Sequence, residues 1–189
     1  MCIIMKITTN VPLDSPWYGK FWPPSSPKQL EYDDSETMYN LLVRNAKEIP
    51  DYPAMWFLDT WVNYKQFKEM VDRIATGFSN LGLKKGDVLG VILPNSIQFV
   101  VAYYAAFKLG VIVTPVNPTY KLAEVRHQLS LTKTKYILVL DALYPHLVEP
   151  IEKELEIKQI IVTNLVDMAT GMSPIKRILG KMLKKIPSA

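Results

Sequence analysis

The chain has 189 residues, 49% of them hydrophobic and 21% charged, which is enough apolar content for a buried core and excludes a largely disordered segment. Its net charge of +4 is local: residues 165–189 hold five basic side chains and one acid, and the other 164 residues carry seventeen of each sign, so the general nucleic-acid binder, with positive charge spread over a folded face, is set aside. One cysteine, Cys2, has no partner for an internal disulfide or a metal cluster, and two histidines, His127 and His146, exclude a histidine-rich metal site.

Residues 1–35 read as an irregular leader. Prolines alternate with aromatics there, as in Pro16-Trp17-Tyr18 and Phe21-Trp22-Pro23-Pro24, and proline blocks regular pairing. The rings need something to bury against, so the leader is expected to wrap the domain, with a subunit contact as the alternative. Met1–Lys6 is too short an apolar run for a secretory signal. No run approaches the ~18 apolar residues of a membrane-spanning helix.

Residues 36–164 read as an α/β unit. Ser35-Glu36-Thr37-Met38 opens a helix with Met38, Leu41, Leu42 and Ala46 on one face. Residues 54–58 and 61–63 read as a short strand and its return, with a turn at Asp59-Thr60. Residues 64–82 give the clearest amphipathic helix, with Tyr64, Phe67, Val71, Ile74, Phe78 and Leu81 at spacings of three and four and Gly82 at its end. Val88–Leu93 is a continuous apolar run suited to a strand covered on both faces. The pattern then repeats. A helix capped by Asn95, with Gln98 as reciprocal partner, runs to Lys108 and stops at Gly110. Strands follow at 111–115, 136–140 and 157–162, with helices at 121–131 and 142–156 between them. This alternation predicts a doubly wound, mostly parallel sheet with flanking helices and right-handed crossovers.

The tail, 165–189, reads as a basic amphipathic tail helix. From Pro174, Ile175, Ile178, Leu179, Met182, Leu183 and Ile186 recur at helical spacing, and Lys176, Arg177, Lys181, Lys184 and Lys185 lie off that stripe. Two fates are open: a helix docked on the domain, or one lying through 174–186 on an anionic membrane surface.

Four segments between Trp61 and Val139 carry a resemblance. Val62-Asn63-Tyr64-Lys65-Gln66-Phe67 looks like a (Leu/Trp)-Thr-Tyr-x-Glu-Leu start, and Gly82-Leu83-Lys84-Lys85-Gly86-Asp87 like a Gly-Val-x-x-Gly-Asp turn. Leu93-Pro94-Asn95-Ser96 looks like a Leu-Pro-Asn-Ser helix opening. Phe107-Lys108-Leu109-Gly110, with Thr114-Pro115-Val116-Asn117-Pro118, looks like Leu-Lys-Ala-Gly followed by a strand and Pro-Leu-Asn-Pro. In this order and register the chain resembles the opening of the AMP-forming adenylating enzymes, the superfamily of acyl-CoA synthetases, luciferases and peptide-synthetase adenylation domains. The aromatic leader resembles that of medium- and long-chain fatty acyl-CoA synthetases. Asn63 and Gln66 stand where the family prefers Thr or Asp and Glu, and Lys121 replaces a small hydroxyl residue that would cap a helix.

The resemblance implies a parent ligase that joins a fatty acid to CoA with ATP and Mg²⁺ through an acyl-adenylate, releasing AMP and pyrophosphate. It also implies that the Ser/Thr/Gly-rich phosphate loop should follow shortly after Ala189. The eight glycines here include no two within three positions of each other, so no such loop is present between Met1 and Ala189. No residue is therefore assigned a catalytic, cofactor-binding or metal-binding role, and the piece alone is expected to bind no cofactor and to be inactive. Lys84, Lys85 and Lys108 read as solvated surface, Asp87 and Asn117-Pro118 as turn residues, and His127 and His146 as ordinary helix and loop positions. The expected partners are the remainder of the synthetase and further copies of the chain, in the cytoplasm or peripherally at a membrane. A stand-alone interaction module that kept the scaffold is the alternative. A dinucleotide-binding fold is rejected, because Val88–Leu93 leads into Pro94-Asn95-Ser96 and not a glycine fingerprint.

Overall fold

The apolar runs 88–92 and 136–140 lie side by side in the middle of a parallel sheet, where both faces must be covered. The structure, a computed structural model, describes residues 18–20, 22–26, 36–173, 175, 176 and 178. The rest of the expected leader and most of the expected tail helix lie outside the described residues. The chain divides into two units, Met1–Glu36 and Thr37–Ala189. In the first, Tyr18 meets Trp22 edge-on with centroids 4.7 Å apart, and the Trp22 indole donates to the Ser26 carbonyl at 2.9 Å.

The second unit runs α1 (Met38–Glu48), β1 (Pro53–Phe57), β2 (Thr60–Asn63), α2 (Tyr64–Asn80), β3 (Val88–Ile92), α3 (Ile97–Leu109), β4 (Ile112–Pro115), α4 (Leu122–Leu131), β5 (Tyr136–Leu140), α5 (Tyr144–Leu147) and β6 (Gln159–Thr163). The first two strands form an antiparallel hairpin. The other four form a wholly parallel sheet in the order β4-β3-β5-β6. Alternate side chains sort to two faces. Leu89, Val91, Tyr136, Leu138 and Leu140 join the cluster built with Phe67, Val71, Phe78, Val101 and Ala105 of α2 and α3. Ile92, Ile137 and Val139 face the other way, onto Val125 and Leu129 of α4 and onto Leu147, Val148 and Ile151. Gly90 belongs to this second face, and a Cβ there would come within 2.9 Å of Leu129 Cδ2 and 3.1 Å of Thr134 Cγ2. Its bare backbone lets α4 lie close on the sheet.

Local signals explain most boundaries. Asn63 and Gln66 form a reciprocal capping box at the start of α2, each side-chain oxygen accepting from the other's backbone N–H at 2.9 and 3.0 Å, so the two departures from the family pattern preserve the cap. Lys121 has no acceptor to cap α4, and Glu124 instead accepts from the Lys121 N–H at 2.8 Å. At the β4 edge, Pro115 has no N–H to offer, and Gln128 Nε2 donates to the Pro115 carbonyl at 2.7 Å.

Four expectations need correction. The helix over 142–156 is only the four-residue α5, followed by turns through Glu156. Pro150 accounts for this: in a continued helix its ring would meet the His146 carbonyl and its missing N–H would break the ladder. Ser96, not Asn95, caps α3, accepting from Phe99 N at 3.3 Å, while Gln98 turns elsewhere. The hairpin turn is centred on Leu58 and Asp59, at φ 44° and 59°, one residue earlier than expected. The tail begins at 165 with turns in place of helix, because Val166, Ala169 and Met172 pack as a small cluster with Leu58 and Leu165.

Lys108, expected as solvated surface, is part of a clip across three helices. Asp72 on α2 accepts from Tyr39 Oη on α1 at 2.7 Å, from Lys68 Nζ at 2.6 Å and from Lys108 Nζ on α3 at 2.7 Å. Lys108 also lies 5.0 Å from the centre of the Tyr39 ring. Partial burial pushes the Asp72 carboxyl up, but the hydrogen bonds from Lys108, Lys68 and Tyr39 outweigh it and hold it at about 2, against an ordinary 3.8. A depressed carboxylate stabilises the fold above its unfolded-state value and loses that contribution as pH falls through the folded value. Asp72→Asn should therefore lower urea stability at pH 7 by about 1 kcal/mol, an amount scaled to a solvent-screened network. The gap from wild type should close as pH falls from 3.8 toward 2.

Candidate functional site: the carboxyl edge of the sheet

All four strands of the parallel sheet point the same way, so their carboxyl ends share one edge. From β3 the chain turns back through α3 toward β4, whereas from β5 it continues outward to β6 on the opposite face. The connections part between β3 and β5, and a crevice at that point is where open α/β sheets take ligands. The segments that leave β3, β5 and β6 at this edge are Leu93–Ser96, Asp141-Ala142 and Asn164–Asp167.

A hydrogen-bond network holds these segments. Gln98 Nε2 donates to the Asn164 carbonyl at 2.7 Å, and Asn164 Nδ2 donates to Asp141 Oδ2 at 2.6 Å. Asp141 Oδ1 accepts from Ala142 N at 2.8 Å. Asp167 Oδ2 accepts from Asn164 N and Thr163 Oγ1, at 2.8 and 2.9 Å. Gln98 is only 5% exposed, and its Oε1 has no donor among the described residues. The network fixes the direction in which the chain leaves β6. The strap 165–173 then reaches the hairpin tip, where Gly171 N donates to Thr60 Oγ1 at 2.8 Å. A Cβ on Gly171 would fall 2.1 Å from the Asp59 carbonyl oxygen, so only glycine fits this approach.

The other residues singled out from the sequence lie outside the crevice network. Asp87 Oδ2 accepts from Lys84 N at 3.0 Å, a turn role. Asn117 Oδ1 accepts from Thr119 N and Thr119 Oγ1 at 2.9 and 2.8 Å, also a turn. His127 lines a shallow cleft of about 480 Å³ with Tyr120, Ala123, Glu124, Gln128 and Leu131, and a cleft of about 410 Å³ is lined by Asp51, Pro53, Trp61, Val62, Asn63 and Gln66. Neither cleft includes a residue of the crevice. Sequence reasoning missed the Gln98–Asn164–Asp141 network. Only Asn164, three positions before Asp167, gave a local turn signal, and the link to Gln98 spans 66 positions.

The family described as AMP-binding enzyme matches residues 42–177 of this chain. The chain belongs to that family. A long-chain-fatty-acid–CoA ligase of Salmonella typhimurium is 25% identical over 172 residues, covering 90% of this chain and 30% of the ligase. The ligase of the same name from Bacillus subtilis is 31% identical over 153 residues, covering 80% and 27%. This AMP-binding family member thus spans less than a third of the length of these curated relatives. The crystal structure of a long-chain-fatty-acid–CoA ligase from Archaeoglobus fulgidus shares the fold, with a TM-score of 0.62 at 24% identity over 70% of this chain and 28% of that one. The α/β class with a parallel sheet, expected from the sequence, is the class found.

The crevice residues do not fit a nucleotide's phosphates. Two carboxylates, Asp141 and Asp167, stand there, no lysine or arginine among the described residues belongs to the network, and an anion would meet like charge. Among the described residues no group of three or more His, Cys, Asp or Glu is placed to hold a metal ion. The crevice is a structural junction that aims the following segment. Gly171→Ala should push the strap from the hairpin and lower urea stability by about 1–3 kcal/mol. Thr60→Val removes the same hydrogen bond, so the double variant should lose less than the sum of the singles.

Proposed function

We propose that this chain supplies the N-terminal subdomain of an AMP-forming fatty-acid–CoA ligase and does not catalyse the reaction alone. The observation that carries the reading is the family match over residues 42–177, joined to relatives named long-chain-fatty-acid–CoA ligase of which the chain covers about 30%. In the complete ligase a carboxylate would attack the α-phosphate of ATP, pyrophosphate would leave, and the CoA thiol would displace AMP. Such chemistry relies on donors and cations preorganised around anionic oxygens. This chain's own part is scaffolding: the sheet sets the strand ends, and the Gln98–Asn164–Asp141 network directs the polypeptide out of β6. Its partner on this reading is the remainder of the ligase, on the same or a separate polypeptide.

The purified 189-residue chain should show no carboxylate-dependent exchange of pyrophosphate into ATP and no ATP binding by calorimetry. Exchange by pure material would overturn the reading. Sequencing past codon 189 distinguishes the alternative: a frame encoding a Ser/Thr/Gly-rich loop with lysine supports the ligase, and a stop with no companion gene supports a stand-alone module.

Isolation should also affect association. Ile112 on β4, Val162 on β6 and Leu131 at the end of α4 are exposed, at 56%, 49% and 73%. Such side chains favour self-association when nothing covers them. Light scattering at micromolar concentration should give a mass above the 21.6 kDa monomer. Mass at the monomer value would count against this.

A further inference from the structure

The outer face of α4 is exposed along its whole length. Tyr120 stands at the entry of the helix, and Ala123, Glu124, His127, Gln128 and Leu131 follow at helical spacing and line the shallow cleft on that face. Leu131 is 73% exposed and Tyr120 38%. Ile112 adds to the aliphatic end. It shares a strand face with Thr114, which accepts from Gln128, so it lies on the side of the sheet that α4 covers. Because α4 runs back against the strands, Leu131 closes the helix at the end of the sheet where Ile112 opens β4. The stripe is thus aromatic at one end, aliphatic at the other and polar in the middle.

That order is complementary to itself in one direction. A two-fold axis set across α4, midway between Glu124 and His127, pairs each residue with a different one on a second copy. Tyr120 then meets Leu131 and Ile112, and Glu124 meets the His127 imidazole, which has an N–H to donate. Ala123 faces Gln128, whose amide already donates to Thr114 and to the Pro115 carbonyl and so brings no unmet donor. Lys121 faces Ser130, and Arg126 is paired on the flank with Glu154, 2.9 Å away, so no like charges oppose one another. A parallel pairing would set Glu124 against Glu124, which charge disfavours. We propose that two copies of this chain associate through α4, packed antiparallel about that axis. A ten-residue helix is ~15 Å long, too short alone to bury the ~1,200 Å² of a permanent interface, so the dimer is reversible and its population follows concentration. The proposal rests on the self-association expected of the isolated chain and not on ligase chemistry, because mass and pyrophosphate exchange are separate readouts.

Sedimentation equilibrium of the full chain, from micromolar to submillimolar concentration, tests it. The mass should rise from 21.6 kDa toward twice that value and no further. Leu131→Glu and His127→Glu should each weaken the dimer ~10-fold or more, the first by placing charge in the aliphatic end and the second by setting carboxylate against carboxylate. Both positions are exposed, so circular dichroism should not change. Glu124→Gln added to His127→Glu keeps an acceptor for the Lys121 N–H, sets an amide donor opposite the new carboxylate and should recover most of the loss. Trp56→Ser with Trp61→Ser, on the other exposed apolar surface, should leave the mass unchanged. A mass of 21.6 kDa at every concentration would overturn both the α4 contact and the self-association, and would leave this face to the remainder of the ligase. A mass that rises yet ignores Leu131→Glu and His127→Glu, or falls with the tryptophan variant, would overturn the α4 contact alone. So would a double variant that fails to rescue His127→Glu.

Discussion

The packing of β3 and β5 as neighbours in a parallel sheet constrains everything else in this molecule. A parallel sheet exposes neither face, so each of these strands needs helices above and below. The chain meets that demand with α2 and α3 on one side and α4 with residues 147–151 on the other. Gly90 is where the requirement is sharpest, because Leu129 and Thr134 occupy the space a side chain there would take. The direction of the crossovers, the position of the crevice and the outward course of β6 all follow from which helix covers which face.

Much of this was legible in the sequence because the signals were local. Unbroken apolar runs marked the strands, and the spacing of Phe67, Val71 and Phe78 marked α2 and its buried face. The family resemblance rested on turns and caps at 62–67, 82–87, 93–96 and 107–118, and the family match spans those segments. The failures were local too. Apolar Leu147, Val148 and Ile151 do bury, which imitates a helix face, but Pro150 forbids the helix that would present them. At Asn95-Ser96 two adjacent capping residues competed, and a shift of one position decided which carried the cap.

The candidate site was less legible, for a physical reason. Gln98 meets Asn164, Lys108 meets Asp72 and Lys176 meets Asp59, and no periodicity in the chain encodes those pairings. Each depends on where the sheet has already placed its helices and loops. Lysine 108 illustrates the point: read alone it is a solvated cation, and in the fold it ties α3 to α2 beneath Tyr39.

The finish of β4 bears on how sheets of this chain can meet. Pro115 brings no amide hydrogen to the outer margin, and the Gln128 side chain already occupies its carbonyl. Strand-to-strand adhesion needs a row of vacant donors and acceptors on both participants. The carboxyl end of β4 is thus a poor template for a further strand.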